Sequence, residues 1–432
     1  MYHSDVHDEG WHDTLRRNTL FTMRHSRRRF CTNAAISCFV PALLHAQTQP
    51  LLSGGSGSYT DVAAIDHDRI LTAAQLYLGK PPVTITSLPS PRNPGNLHDF
   101  YSEADEWWPD PATPSRPYVH RPGENNPNAF AKHSDALLNF CIEFPALIAA
   151  FVLTREARYA NHAADHLRAW FIDPARRMTP ALSYAQLVSG TTTSRFEGVI
   201  ETVHLAEVAQ AITFLTRSDV LAEAELAAIY VWFAAFLDWL MNSRVAILAH
   251  DQKNHHGSSW LLQAAAFARL PPLSSKSDDQ VLVDLRHQFK STTIRAQISS
   301  DGSFTHELTT SNPYRNSLFN LDMLAGVCNL LSTRFESMWD YELQDGPGMR
   351  TAVARHFPFI VNRGAWPYRA DAAHFTELPV RHPSLLLAGR AYSRPEYVEV
   401  WKTLNPDPTD PIIQRCFPIR QPLLWVRRPL AM

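Results

Sequence analysis

The chain has 432 residues, 45% of them hydrophobic and 19% charged, with a formal net charge of −2 at pH 7. That composition suits a globular protein with one large core or two ordinary ones. It counts against nucleic acid as the main partner, which calls for a basic face, but leaves room for a local basic surface that receives an acidic sugar polymer. The 11 tryptophans and 20 histidines fit a carbohydrate site and an aromatic core equally well.

At the N-terminus, "MRHSRRRFCTNAAISCFVPALLHAQTQ" begins at Met23 with a basic run, Arg24 to Arg29. An apolar stretch from Ala34 to Leu44 follows, then a cleavage site after Ala46, which is the layout of an export signal. The apolar run is too short to span a bilayer, so no stable membrane insertion is expected once the signal is removed. "SRRRF", Ser26 to Phe30, resembles a twin-arginine signal. The expected organisation is an extended start plus signal over 1–46, a linker over 47–65 and one domain over 66–432. The expected location is periplasmic or secreted. Cys141, Cys328 and Cys416 remain after the signal, far apart and with no CxxC pair, so no disulfide framework is predicted.

Apolar periodicity predicts helices over 66–79, 129–155, 157–171, 198–215, 221–241, 258–268, 279–297, 317–331 and 383–392. Between the first two lies a proline-rich loop, 80–128, whose "HDFYSEADEWWPDP" suggests an ordered border to a site. Several helices are apolar on more than one side, as in "IYVWFAAFLDWLM", and must be buried between neighbours. No sustained strand alternation appears. The expected class is all-α, an incomplete α/α toroid built from antiparallel helix pairs.

The densest chemistry is in "KNHHGSSW", Lys253 to Trp260. His255 and His256 read as a turn, with Ser258 or Ser259 capping the helix that follows. Adjacent residues on a turn point apart, and no HxxxH spacing or cysteine pair accompanies them, so no metal is predicted. Donors at a helix start favour an anion, here a carboxylate. Arg195, just before a helix, could bind a carboxylate bidentately or cap a loop. Trp107 and Trp108 form a sugar platform or a hydrophobic plug, with only one facing the site. His204 reads as a packed core histidine and Arg381 as structural.

The "KNHHGSSWLLQAAAFARL" stretch resembles the Asn-Asn-His-Gly segment of the alginate-lyase superfamily, the helical-toroid uronate polysaccharide lyases. "LHDFYSEADEWWPDPATPSRPYVHRPG", "GTTTSRFEGVIETVHLAEVAQAI", "DGSFTHELTTSNPYRNSLFNLDML" and "LPVRHPSL" agree in order, over roughly Asp66 to Leu404. The resemblance implies β-elimination of a uronate polymer without a cofactor. Asn, His and Arg would neutralise the substrate carboxylate while Tyr moves the protons. His256 falls on the family's histidine, whereas His255 stands where relatives have asparagine. Thr310 stands at the family's arginine and Asn316 at its tyrosine, between matching flanks Glu307-Leu308 and Ser317 to Leu321. Tyr314 and Arg315 are the neighbours that could substitute if the loop is reshaped. The expected catalytic set is therefore His255, His256 and Tyr314. Asn254, Arg195, Arg315, Trp107, Trp108, His98 and Tyr101 would bind an acidic polysaccharide; His98, Tyr101 and the nearby Glu103 rest on the resemblance alone. The alternatives are a uronan-binding protein on the same fold and a metal-assisted hydrolase using the histidine pair.

Overall fold

The computed structural model describes residues 60–427, apart from 114–116, 122–123, 192–193, 217 and 272–276. The start and export signal expected over 1–46, and most of the linker, lie outside the described residues. Helices α1 (Val62–Ile65) and α2 (His67–Tyr77) lead to a long excursion. Then come α3 (Lys132–Thr154), α4 (Ala157–Leu167), α5 (Leu205–Ile212), α6 (Glu223–Asn242), α7 (Arg244–His250) and α8 (His255–Ala268). They are followed by α9 (Ser277–Gln288), α10 (Ile294–Gln297), α11 (Pro313–Leu331), α12 (Met349–Val361), α13 (Pro383–Ala391) and α14 (Pro395–Thr403), and by the short α15 (Pro411–Arg415) and α16 (Pro422–Val426). A π-helical turn, Arg168–Ile172, prolongs α4, and another, Phe289–Thr293, joins α9 to α10.

Many helices adjacent in sequence pack on one another, among them α2 with α3, α3 with α4, α7 with α8 and α13 with α14. Arg155 takes the left-handed conformation (φ 63°) and ends α3, so that α4 folds back along it. The centre is α8, in contact with α5, α6, α7, α9 and α11. All its residues from Gly257 to Ala268 are buried. Leu261 and Leu262 are each worth about 2 kcal/mol of burial. The polar residues of this helix keep partners, as burial demands: Ser258 Oγ donates to Gln297 at 2.9 Å, and Gln263 accepts from Thr202 at 2.7 Å. The result is the α/α toroid.

Carboxylates tie the last described segments to the rest of the fold. Buried Asp66 accepts from Arg69 and Arg381, and Arg69 also reaches the carbonyl of Arg420. Glu207 accepts the backbone N–H groups of Arg420 and Gln421 and the indole N–H of Trp425. Arg381 is structural, with Nη2 on the carbonyl of Lys402. His204 is a core histidine, its Nε2 3.0 Å from the carbonyl of Arg415 and its pKa driven down to about 3 by burial.

Two small ladders order the 80–128 excursion. β1 (Tyr101–Glu103) runs parallel to β4 (Tyr184–Leu187), and β2 (Trp107–Trp108) pairs antiparallel with β3 (Val119–His120). Cys141 and Cys328 are buried free thiols.

Candidate active site

Asn254 is extended (φ −147°, ψ −166°), and its Oδ1 accepts the backbone N–H of His256 at 3.0 Å. It is the N-cap, and α8 begins at His255. The expected cap at Ser258 or Ser259 is thus corrected: both serines lie inside the helix, fully buried. The earlier start depends on Gly257, where a Cβ would collide with the carbonyl of Gln252. Both histidines therefore occupy the first turn of a helix rather than a preceding loop, at the positive end of the helix dipole, with their own N–H groups taken by Glu307 and by Asn254 Oδ1. Their ring centroids are 4.3 Å apart.

The two rings have different surroundings. His255 gives its backbone N–H to Glu307 Oε1 at 2.5 Å, and its Nδ1 lies 2.8 Å from Glu307 Oε2. His256 stands edge-on to Phe196 at 5.5 Å, with no partner for its buried Nδ1. Burial first, then the proximity of His255 and Arg195, hold its pKa well below the usual imidazole range. His256 is neutral at pH 7.

Arg195 pairs with Glu197, and its guanidinium lies 5.6 Å from the Trp107 ring centroid. Trp107 also stacks on His120, its partner across the ladder, at 5.2 Å. Successive strand residues face opposite ways, so Trp108 points away. Its indole N–H is held by the carbonyl of Glu124 at 2.7 Å. Of the two tryptophans, Trp107 shares the Arg195–His256 side.

Four other expected site residues have partners of their own. Helix α11 starts at Pro313, whose fixed φ and missing N–H suit the first helical position. Tyr314, Arg315 and Asn316 are thus consecutive first-turn residues rather than parts of a reshaped loop. Residues two apart on a helix face nearly opposite directions, so Tyr314 cannot stand in for residue 316. Its ring is buried between Trp366 and Phe375, its hydroxyl donates to the carbonyl of Phe359 at 2.9 Å, and burial raises its pKa. Tyr314 is a core tyrosine, not an acid/base. Arg315 sits beside Asp371, which accepts its backbone N–H at 2.9 Å. Tyr101 is buried, its hydroxyl bound to Glu103 at 2.6 Å. His98 fastens the loop through the carbonyl of Arg177 at 2.8 Å.

Asn316 instead donates to Thr310 Oγ1 at 3.1 Å, and Thr310 Oγ1 donates to the carbonyl of Glu307 at 2.7 Å. Glu307 is the residue that sequence reasoning missed. It served only as a flank, and nothing in a 52-residue separation announces a contact with His255. Among the described residues, no cluster of three or more His, Cys, Asp or Glu side chains is placed to hold a metal ion. A cavity of about 380 Å³ between the Lys80–Leu88 segment and α3 includes none of the expected site residues.

Comparison with known proteins fits this architecture. The chain is similar to an alginate lyase from Bacteroides ovatus, with 24% identity and a TM-score of 0.71 over 82% of this chain and 93% of that one. Alginate lyase A1-III from Sphingomonas species A1 superposes with 14% identity and a TM-score of 0.53, over 87% and 92% of the two chains. A histidine-to-alanine variant of A1-III, complexed with a tetrasaccharide, gives 12% identity and a TM-score of 0.51, over 84% and 95%. No curated protein sequence matches significantly. The alginate lyase family matches residues 84–366, about two thirds of the chain, and the protein belongs to that family of polysaccharide lyases.

Proposed function

We propose that the protein is a polysaccharide lyase that cleaves a uronate-containing polymer, of alginate or glucuronan type, by β-elimination. The observation that carries this reading is the start of α8, where Asn254, His255 and His256 stand at the positive end of a buried helix beside Arg195. Removing the C5 proton of a uronate leaves charge on its carboxylate, and preorganised donors at that carboxylate lower the barrier. A neutral His256 supplies one through its ring N–H. The Arg195 guanidinium adds positive charge, and Trp107 offers an apolar face to a sugar ring. The tetrasaccharide bound by the A1-III variant supports an oligosaccharide ligand for this fold.

A second reading, a uronan-binding protein without turnover, is favoured by one observation. Thr310 and Asn316 hydrogen-bond to each other where relatives are expected to carry their arginine and tyrosine. Incubation with alginate and with glucuronan separates the two. Growth of ultraviolet absorbance from the unsaturated uronate product supports the lyase. Retention on immobilised uronan without product supports the binding protein.

A further inference from the structure

We propose that Glu307 is a positioning residue that makes His255 the proton-transfer group of this site. The inference rests on the lyase reading above and goes beyond it by naming the base and what holds it. Glu307 is fully buried, and both its oxygens are turned on one residue: Oε1 accepts the backbone N–H of His255 at 2.5 Å, and Oε2 lies 2.8 Å from Nδ1. A carboxylate only accepts hydrogen bonds, so Nδ1 carries the proton and Nε2 keeps its lone pair. The His255 side chain remains 13% exposed. With Nδ1 committed to Glu307, Nε2 is the nitrogen left for a substrate. The same carboxylate stabilises the imidazolium that forms when Nε2 takes a proton, as an orienting acid does for a general base.

The chemistry balances with this one group. Nε2 of His255 takes the proton from C5 of the uronate. The C5–H electron pair becomes the C4–C5 double bond as the C4–O bond breaks. The imidazolium then returns its proton to the leaving oxygen, giving an unsaturated uronate end and a free hydroxyl, with no water consumed. Tyr314, locked in the core, has no part in it. The charged and titratable groups around His255 are Glu307 from the 3-10 turn before α11, His256 on its own helix, and Arg195 beyond His256. Phe319 of α11 faces its ring at 6.0 Å.

The test compares wild type with Glu307→Gln and Glu307→Asp, reading kcat, KM and the pH profile on alginate or glucuronan, with thermal melts as a check on folding. Glu307→Gln turns an amide N–H toward the pair and disfavours the Nδ1–H tautomer. We expect kcat to fall about 100-fold, the scale of general-base catalysis, with KM changed less than about twofold. The acidic limb of the profile should move to lower pH, because the imidazolium loses its carboxylate. Glu307→Asp should recover about tenfold of that loss. Unchanged kcat, or a fall with an unmoved acidic limb, overturns the proposal. Imidazole nitrogen NMR of the wild type reads the tautomer directly, without relying on turnover. Protonated Nδ1 with bare Nε2 supports the positioning of His255 by Glu307 even if no uronan tested is cleaved, whereas that lack of cleavage sinks the lyase reading and with it the proton transfer. An Nε2–H tautomer overturns it even if the enzyme is active.

Discussion

Two histidine–carboxylate pairs in this molecule are nearly identical in length and opposite in surroundings. His255 Nδ1 is 2.8 Å from Glu307, and His382 Nδ1 is 2.7 Å from Asp322. Each histidine stands at the start of a helix, α8 and α13 respectively. Around His382 everything is enclosed. The side chain is 3% exposed, its Nε2 is buried without a partner, and Asp322 also accepts the N–H and Oγ–H of Ser384. His255 retains exposure, a neutral histidine at its side and an arginine beyond. The distance within a pair therefore says nothing of catalysis. What separates the two is whether the second nitrogen can meet a ligand, and what stands around it.

The largest expected effect breaks the enclosed pair. Asp322→Ala strands three buried donors, two from Ser384 and one from His382, and should cost about 3–5 kcal/mol of stability. Chemical denaturation measures it. In the fraction that remains folded, turnover per molecule should match wild type. A variant with unchanged stability and reduced kcat would show that this pair, too, serves the reaction.

Next in size is His256→Ala, which sharpens the other side. Removing a donor to the developing carboxylate charge should cost about 3 kcal/mol of transition-state stabilisation. It should appear in kcat/KM of the folded protein, while the lost packing of the ring on Phe196 and His255 is read separately as a lower melting temperature. Full lyase activity in this variant would remove His256 from the site.

How much of this was legible in the sequence depends on the range of the force that sets each feature. Local periodicity located α3, α4, α6, α13 and most of α8, because an apolar face is written into adjacent residues. Met349–Val361 escaped it, being interrupted by Pro358 inside the helix. The expected helix over 198–215 proved to be a 3-10 segment, Phe196–Thr202, followed by α5. Helix starts were the weak point, and they decide the chemistry. Moving the start of α8 from Ser258 to His255 turned two loop histidines into first-turn residues. Moving that of α11 from Ser317 to Pro313 took Tyr314 out of the site. Glu307 could not be assigned from spacing, since its partner lies on another element; family likeness had marked the position as an anchor for register only.

Histidines without a carboxylate supply the contrast that pH can reach. Burial lowers His356 and His166 to about 4 and His204 to about 3. In the unfolded chain each takes a proton near 6.5, whereas the folded protein refuses it until far lower pH. Between those values the unfolded state binds more protons, so stability is full above about 6.5 and is lost as the pH falls toward 4. The slope is at most about 1.4 kcal/mol per pH unit for each such histidine. Denaturation midpoints across that range measure it. A protein equally stable at pH 6.5 and pH 4.5 would mean that these imidazoles are not buried neutral.

The smallest effect falls on Asn254, which has two duties that substitution can separate. Its Oδ1 caps α8 by accepting the N–H of His256, and its amide N–H₂ is the candidate donor to substrate. Asn254→Ala loses both, costing about 1 kcal/mol of stability for the cap and weakening uronan binding. Asn254→Ser keeps a capping oxygen but lacks the amide, so it should melt like wild type and still bind poorly. Asn254→Asp keeps the cap and complements the helix dipole, yet places a negative charge where a carboxylate must sit. It should be the most stable of the three and the least able to hold an acidic polymer. If Asn254→Asp instead binds uronan as wild type does, the polymer's carboxylate does not approach the start of α8. The contrast between the two histidine pairs would then lack the ligand that gives the open one its use.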